Sequence, residues 1–210
     1  MTSTFTEHAI ATLVPRDPVG FDRDRAEAAV EELLLALGHD IDDAHLADTP
    51  RRVVAGLHEM MTPRDFSFTT FPNESGYDQV VMVRGIRFSS VCSHHLLPFH
   101  GVADVGYLPG DRLVGLSKLA RLVDWHARAP QVQERLTVQI ADQLQERLAA
   151  RGVGVVMRAE HMCMSLRGAR VAGTTTVTSA FRGELAHDAA FRADFRVGDA
   201  FAQEEPWRTS

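Results

Sequence analysis

Between residues 131 and 150 the apolar residues Val132, Leu136, Ile140, Leu144 and Leu148 recur at every fourth position, which lines them up along one stripe of a single long helix. Such a stripe must be buried, and the flanking segments show what can cover it. Upstream, residues 79–84, 86–91 and 102–108 are short and rich in β-branched residues. In the last of them Val102, Asp104 and Gly106 alternate with Ala103, Val105 and Tyr107. Downstream, Val153, Val155, Met157 and Ala159 alternate with Gly154, Val156, Arg158 and Glu160, and residues 174–181 are rich in Thr and Val. A period of two is the pattern of a strand with one buried face. A shorter helix over 118–127, opened by Ser117, precedes the long one, which Gly152 ends. Strands, then helices, then strands predict an α+β domain with helices laid on one face of an antiparallel sheet.

The chain ahead of this domain reads as helical. Ala26, Val30, Leu33, Leu34 and Leu37 are helically spaced, with Asp22 placed to cap and Gly38 to stop. Thr49 stands as a cap directly before Pro50, and Val53, Val54, Leu57, Met60 and Met61 carry a second helix towards Pro63. Residues 1–20, with Pro15 and Pro18, read as a flexible arm. The expected organisation is an arm (1–20), a helical extension (21–65) and a main domain (66–210). A length of 210 residues suits one core with an appendage.

Composition narrows the function classes. With 45% hydrophobic and 24% charged residues and no membrane-length apolar run, the expectation is a soluble protein without a membrane partner. The start lacks the basic and apolar regions of a secretory signal, which predicts a cytoplasmic location. A net charge of -6 argues against a protein that coats nucleic acid, but not against a small anion in a local basic pocket. Two cysteines cannot make a disulfide framework, so they are core thiols, metal ligands or a nucleophile.

Their neighbours favour metal. Cys92-Ser93-His94-His95 ends one expected strand and His161-Met162-Cys163 ends another. Residues two apart on an extended chain share a side, so His161 and Cys163 can face one site, as can Cys92 and His94 if the strand runs that far. Two thiolates and one imidazole suit zinc and leave a fourth position for water, the arrangement of a hydrolytic centre. Spacing does not choose between His94 and His95, and a lone strand Cys can equally be a small buried hydrophobe.

Two further groups fit a nucleotide. Ser117, Lys118 and Arg121 lie at an expected helix start, where free N–H groups favour an anion, although a capped surface helix with two solvated cations looks the same. Gln133 and Glu134 open the long helix and can hydrogen-bond a purine edge, or simply stabilise the first turn. No P-loop motif occurs.

Taken together these segments resemble the GTP cyclohydrolase I family. The resemblance runs from about residue 48 to residue 183 and rests on Asp48-Thr49-Pro50-x-Arg52, Cys92-x-His94-His95-Leu96-Leu97-Pro98-Phe99, Val105-Gly106-Tyr107-Leu108-Pro109, Gly115 to Arg121, Pro130-Gln131-Val132-Gln133-Glu134-Arg135-Leu136-Thr137, and His161-Met162-Cys163-Met164 with Arg167-Gly168. It implies a tunnelling-type α+β domain in a ring-stacked homodecamer with active sites at subunit interfaces. It implies Zn2+ on Cys92, His95 and Cys163, with His94 and His161 free for proton transfer. Ser117, Lys118, Arg121 and Arg167 would grip the triphosphate of GTP, and Gln133 with Glu134 would meet the guanine. The implied reaction is hydrolytic opening of guanine at C8, loss of formate, and rearrangement to 7,8-dihydroneopterin triphosphate, with no organic cofactor. That product suits tetrahydrofolate and one-carbon metabolism, other pterins, or deazapurines.

Three positions depart from the usual pattern: Ser93 where Glu is common, Asp104 where His is common, and Ala129 where Arg is common. They motivate a second reading, a weakened or silent paralogue that binds GTP or a pterin. A third is a nitrile reductase of deazapurine metabolism on the same fold.

Overall fold

The computed structural model describes residues 10–13 and 20–195. In chain order its elements are β1 (Ile10–Leu13), α1 (Arg23–Ala36), α2 (Thr49–Met61), β2 (Phe66–Pro72), β3 (Val81–Cys92), β4 (Pro98–Leu108), β5 (Arg112–Val114), α3 (Leu116–Ala127), β6 (Pro130–Gln131), α4 (Gln133–Leu148), β7 (Gly152–His161), α5 (Met162–Ser165), β8 (Thr176–Gly183), a 3-10 turn (Glu184–Ala186) and α6 (Ala189–Asp194).

The alternation read from the sequence sets the main sheet. Its strand order is β6-β3-β4-β7-β8, antiparallel throughout except for the two-residue parallel pairing of β3 with β6. Ala103, Val105 and Tyr107 of β4 and Val153, Val155, Met157 and Ala159 of β7 are buried under the helices. The stripe on α4 meets them, with Leu136, Ile140 and Leu144 fully buried, and Leu119, Leu122 and Val123 of α3 join the same core. The fold is therefore α+β with the two long helices on one face. The order β3-β4, α3-α4, β7-β8 puts a strand pair on each side of the helix pair in the chain.

The opposite face is partly covered as well. The 3-10 turn and α6 bring Leu185, Phe191 and Phe195 against Leu108 and Val156. Glycine makes this possible: a Cβ on Gly154 would stand 2.9 Å from the Phe195 ring, and one on Gly106 would stand 3.1 Å from it. The ring lies in the space those two residues leave open. Beside it Asp104 accepts from Arg158 at 2.8 Å and from the Gly85 N–H at 2.9 Å, and Arg158 also donates to the Phe195 carbonyl at 2.7 Å.

Several expectations are corrected. Residues 10–13 of the expected arm form β1, antiparallel to β2, while residues 1–9 and 14–19 lie outside the described residues, as do 196–210. Residues 66–72, to which no element was assigned, form β2, whose Phe66, Phe68 and Thr70 are buried in alternation. The segments 79–84 and 86–91 are one strand with a bulge, turned at Gly85 (φ 69°). Thr49 is inside α2, not its cap; Asp48 precedes it, and its carboxylate binds Arg51 and Arg52 instead of a backbone N–H. The long helix ends at Leu148 with Ala149 left-handed (φ 47°), and Gly152 opens β7 because a Cβ there would come 2.6 Å from Leu185 Cγ. Helix α1 is capped by Asp22 as expected, yet it buries no residue, and Leu33 and Leu37 are exposed.

Candidate active site

The site forms where β3 and β7 end. Cys92 is the last residue of β3, and a tight loop closes behind it: the Cys92 N–H bonds the Leu97 carbonyl at 2.9 Å and the Leu96 N–H returns to the Cys92 carbonyl at 2.9 Å. Leu96 takes a left-handed conformation (φ 55°) to complete that loop. The Ser93 N–H bonds the Gln131 carbonyl at 2.8 Å, which ties the loop to β6. Strand β7 stops at His161, opposite Phe99 of β4, and the helical turn α5 then carries Cys163. Cys163 reaches the site through this turn, and not through the strand alternation that the sequence suggested.

These two strand ends bring three donor side chains together. The ligand atoms of Cys92, His95 and Cys163 lie within 4.8 Å of one another. Two sulfurs and one imidazole nitrogen at that separation fit a thiophilic divalent ion with one coordination position left over. Burial and the adjacent Cys92 thiol push the Cys163 thiol up, and the Arg167 guanidinium opposes them. Cys92 is buried, whereas His95 is exposed, so the group opens to solvent on one side.

Both remaining histidines border this group. His94 Nδ1 is 3.7 Å from Cys92 Sγ. The His161 ring stacks on Phe99 with centroids 4.6 Å apart and planes 3° from parallel. Burial lowers its pKa, and the carboxylate of Glu134 acts in the opposite direction. Glu134 itself is exposed at the start of α4. Arg167 Nη1 lies 3.3 Å from His95 Nε2, which puts a cation at the mouth of the site.

The other four expected members stand in the first turns of α4 and α3. Gln133 is buried, with its carboxamide turned inward to His161, the β7 and β8 backbone and Thr178. Ser117, Lys118 and Arg121 sit in the first turns of α3, while the far end of that helix is the one near Cys92, where Ala127 accepts from Ser90 Oγ at 2.6 Å. Ten residues at 1.5 Å each put Ser117 about 15 Å from that end.

Sequence reasoning missed several supports. Arg135 donates to Ser93 Oγ at 3.4 Å and to the Pro130 carbonyl at 2.6 Å, bracing the loop from α4. Thr137 and Thr178 complete the surroundings of Gln133. A cavity of about 680 Å³ between α2, α3 and α4, lined by Met61, Trp125, His126 and Gln143 among others, lies apart from the cysteines. None of these had a signal beyond helix or strand periodicity. Of the departures, Asp104 is accounted for by its pairing with Arg158 on the other face, and Ser93 by Arg135; nothing in the structure explains Ala129.

An α+β unit with two thiols and an imidazole gathered where β3 and β7 end defines a candidate metal-binding protein. The chain belongs to the GTP cyclohydrolase I family, whose sequence model matches residues 26–198. It is 54% identical to the GTP cyclohydrolase 1 of Mycobacteroides abscessus over 181 residues, covering 83% of this chain and 88% of that one. It is 51% identical to that of Mycobacterium leprae over 191 residues (88% and 92%) and 54% identical to that of Streptomyces coelicolor over 172 residues (79% and 85%). Among solved structures, the archaeosine synthase QueF-Like in the apo form aligns with a TM-score of 0.43 and 17% identity, covering 51% of this chain and 96% of that one.

Proposed function

We propose that this chain catalyses the GTP cyclohydrolase I reaction: GTP and one water give formate and 7,8-dihydroneopterin triphosphate. The observation that carries the reading is the convergence of Cys92, His95 and Cys163 beside His94 and His161, in a chain of this family. Those three residues would hold zinc, which when bound supplies the Lewis acidity that brings the pKa of water towards neutrality.

The protein's own groups supply the rest. Glu134, exposed next to His161, accepts hydrogen bonds from the guanine N–H edge and sets the position of C8. His161 and His94 exchange protons with the substrate as the imidazole ring opens, formate departs, and the ribose opens and rearranges; an imidazole nitrogen can both accept and return a proton. Arg167 reaches the triphosphate from the side of His95.

Ser117, Lys118 and Arg121 complete the phosphate grip from a second copy of the chain. The exposed Leu96, Met164 and Leu166 on the turns that carry the ligands support a site shared between subunits. The exposed Leu33 and Leu37 of α1 add apolar surface for assembly into a homodecamer. Among the described residues no helix is long and apolar enough to cross a membrane. A site that needs free thiols and GTP belongs in the reducing cytoplasm.

Removing metal from the purified protein with a chelator and restoring zinc tests this reading. Fluorescent neopterin, recovered after oxidation and dephosphorylation, should disappear and return. A zinc-loaded protein that makes none overturns it.

A further inference from the structure

Gln133 stands at the start of α4, yet it is 1% exposed, and both polar atoms of its carboxamide have partners. Its Nε2 donates to the Met157 carbonyl at 3.2 Å, the Thr176 carbonyl at 3.0 Å and Thr178 Oγ1 at 3.1 Å. Backbone carbonyls only accept, so the amide group cannot be turned the other way. The Thr137 hydroxyl donates to the Gln133 carbonyl at 2.8 Å. The 2.6 Å contact between Thr137 and Thr178 is therefore donated by Thr178, whose oxygen remains an acceptor for the carboxamide. What is left to face His161 Nε2, at 2.8 Å, is Gln133 Oε1. That oxygen cannot donate, so the hydrogen between them belongs to the imidazole. The parallel stack on Phe99 holds the ring in the plane that keeps this bond.

We infer that Gln133 is a positioning residue that fixes His161 with its hydrogen on Nε2, so that the lone pair of the imidazole is carried by Nδ1. The inference rests on the proposed role of His161 in proton transfer, and it gives Gln133 a task other than contact with the guanine. Its geometry does not depend on turnover. A neutral imidazole bonded in this way has one lone pair, and which nitrogen bears it is set by the partner of the other.

The test has two arms. Long-range 1H–15N spectra of the zinc-loaded, histidine-labelled protein, with His161 identified by comparison with His161→Asn, should show Nε2–H in the wild type. Gln133→Met should mix the tautomers and lower kcat by about tenfold or more, with KM changed less than about threefold. In the His161→Asn background the same substitution should add no further loss. An Nδ1–H tautomer in the wild type overturns the inference. So does a Gln133→Met effect that falls on KM or adds to that of His161→Asn. Should Gln133→Met fail to fold, the wild-type spectrum still decides. A protein that shows Nε2–H but makes no dihydroneopterin triphosphate refutes the proposed function and leaves this assignment standing.

Discussion

Arg167 Nη1 lies 3.3 Å from His95 Nε2, so a cation proposed to bind phosphate touches a residue proposed to bind metal. Arg167→Ala should leave the zinc content unchanged and weaken GTP binding. Charge-assisted hydrogen bonds contribute about 1.5–3 kcal/mol each, which corresponds to a KM raised by roughly ten- to a hundredfold. Steady-state kinetics alongside metal analysis would check both halves. An unchanged KM would remove Arg167 from the phosphate grip.

Lys118 and Cys163 are expected to act in one site while belonging to different copies of the chain. Lys118→Ala and Cys163→Ala should each be strongly impaired. Unfolding and refolding the two together should give activity well above the sum of the separate preparations. Activity no higher than that sum would place the whole site within one subunit.

Asp104 and Arg158 form an ion pair with little access to water, and Asp104 is 4% exposed. Removing the Asp104 carboxylate takes away the acceptor of the Gly85 N–H and one acceptor of Arg158, and losing the partner of a buried donor typically costs about 1–3 kcal/mol. Asp104→Ala should therefore lower the unfolding free energy obtained from urea titration by that order. The Phe195 end of the chain, held by the same Arg158, should become the first region to lose amide protection in hydrogen exchange. A change under about 1 kcal/mol would show that the pair is not a principal support of this face.

His126 makes a prediction about pH. Burial lowers its pKa from 6.5 to about 4, against a smaller opposing effect of its hydrogen bond to Gln143. The folded protein thus binds this proton less readily than the unfolded chain does. The stability that results is complete above pH 6.5, declines as the pH falls towards 4, and declines no further below that. The full change is roughly 3 kcal/mol. His126→Gln, which keeps a donor towards Gln143, should flatten the stability profile across this window. A profile with the wild-type slope would assign the acid sensitivity to other groups.

The sheet was legible because period-two alternation survives wherever one face is buried: the odd residues of β4 and β7 named from the sequence are the ones under α3 and α4. β2 was not, since Phe66-Ser67-Phe68-Thr69-Thr70-Phe71-Pro72 ends in a proline and its pairing is with the distant β1 and β5. The candidate metal group was half legible. Composition gave the donors, but the choice of His95 over His94 depends on a loop with Leu96 in a left-handed conformation, which no periodicity encodes. Gln133 shows the limit most clearly. A helix-start glutamine reads as available to a ligand, and only the packing of α4 on β7 and β8 shows its carboxamide to be already committed.

The central claim is that Cys92, His95 and Cys163 assemble a centre for hydrolytic opening of guanine at C8. The direct measurement uses GTP carrying an isotopic label at C8, incubated with the zinc-loaded protein. The label should appear in formate, with one formate released for each dihydroneopterin triphosphate formed, and Cys163→Ala should release none. Label retained in the nucleotide, or formate released equally by Cys163→Ala, would contradict the account.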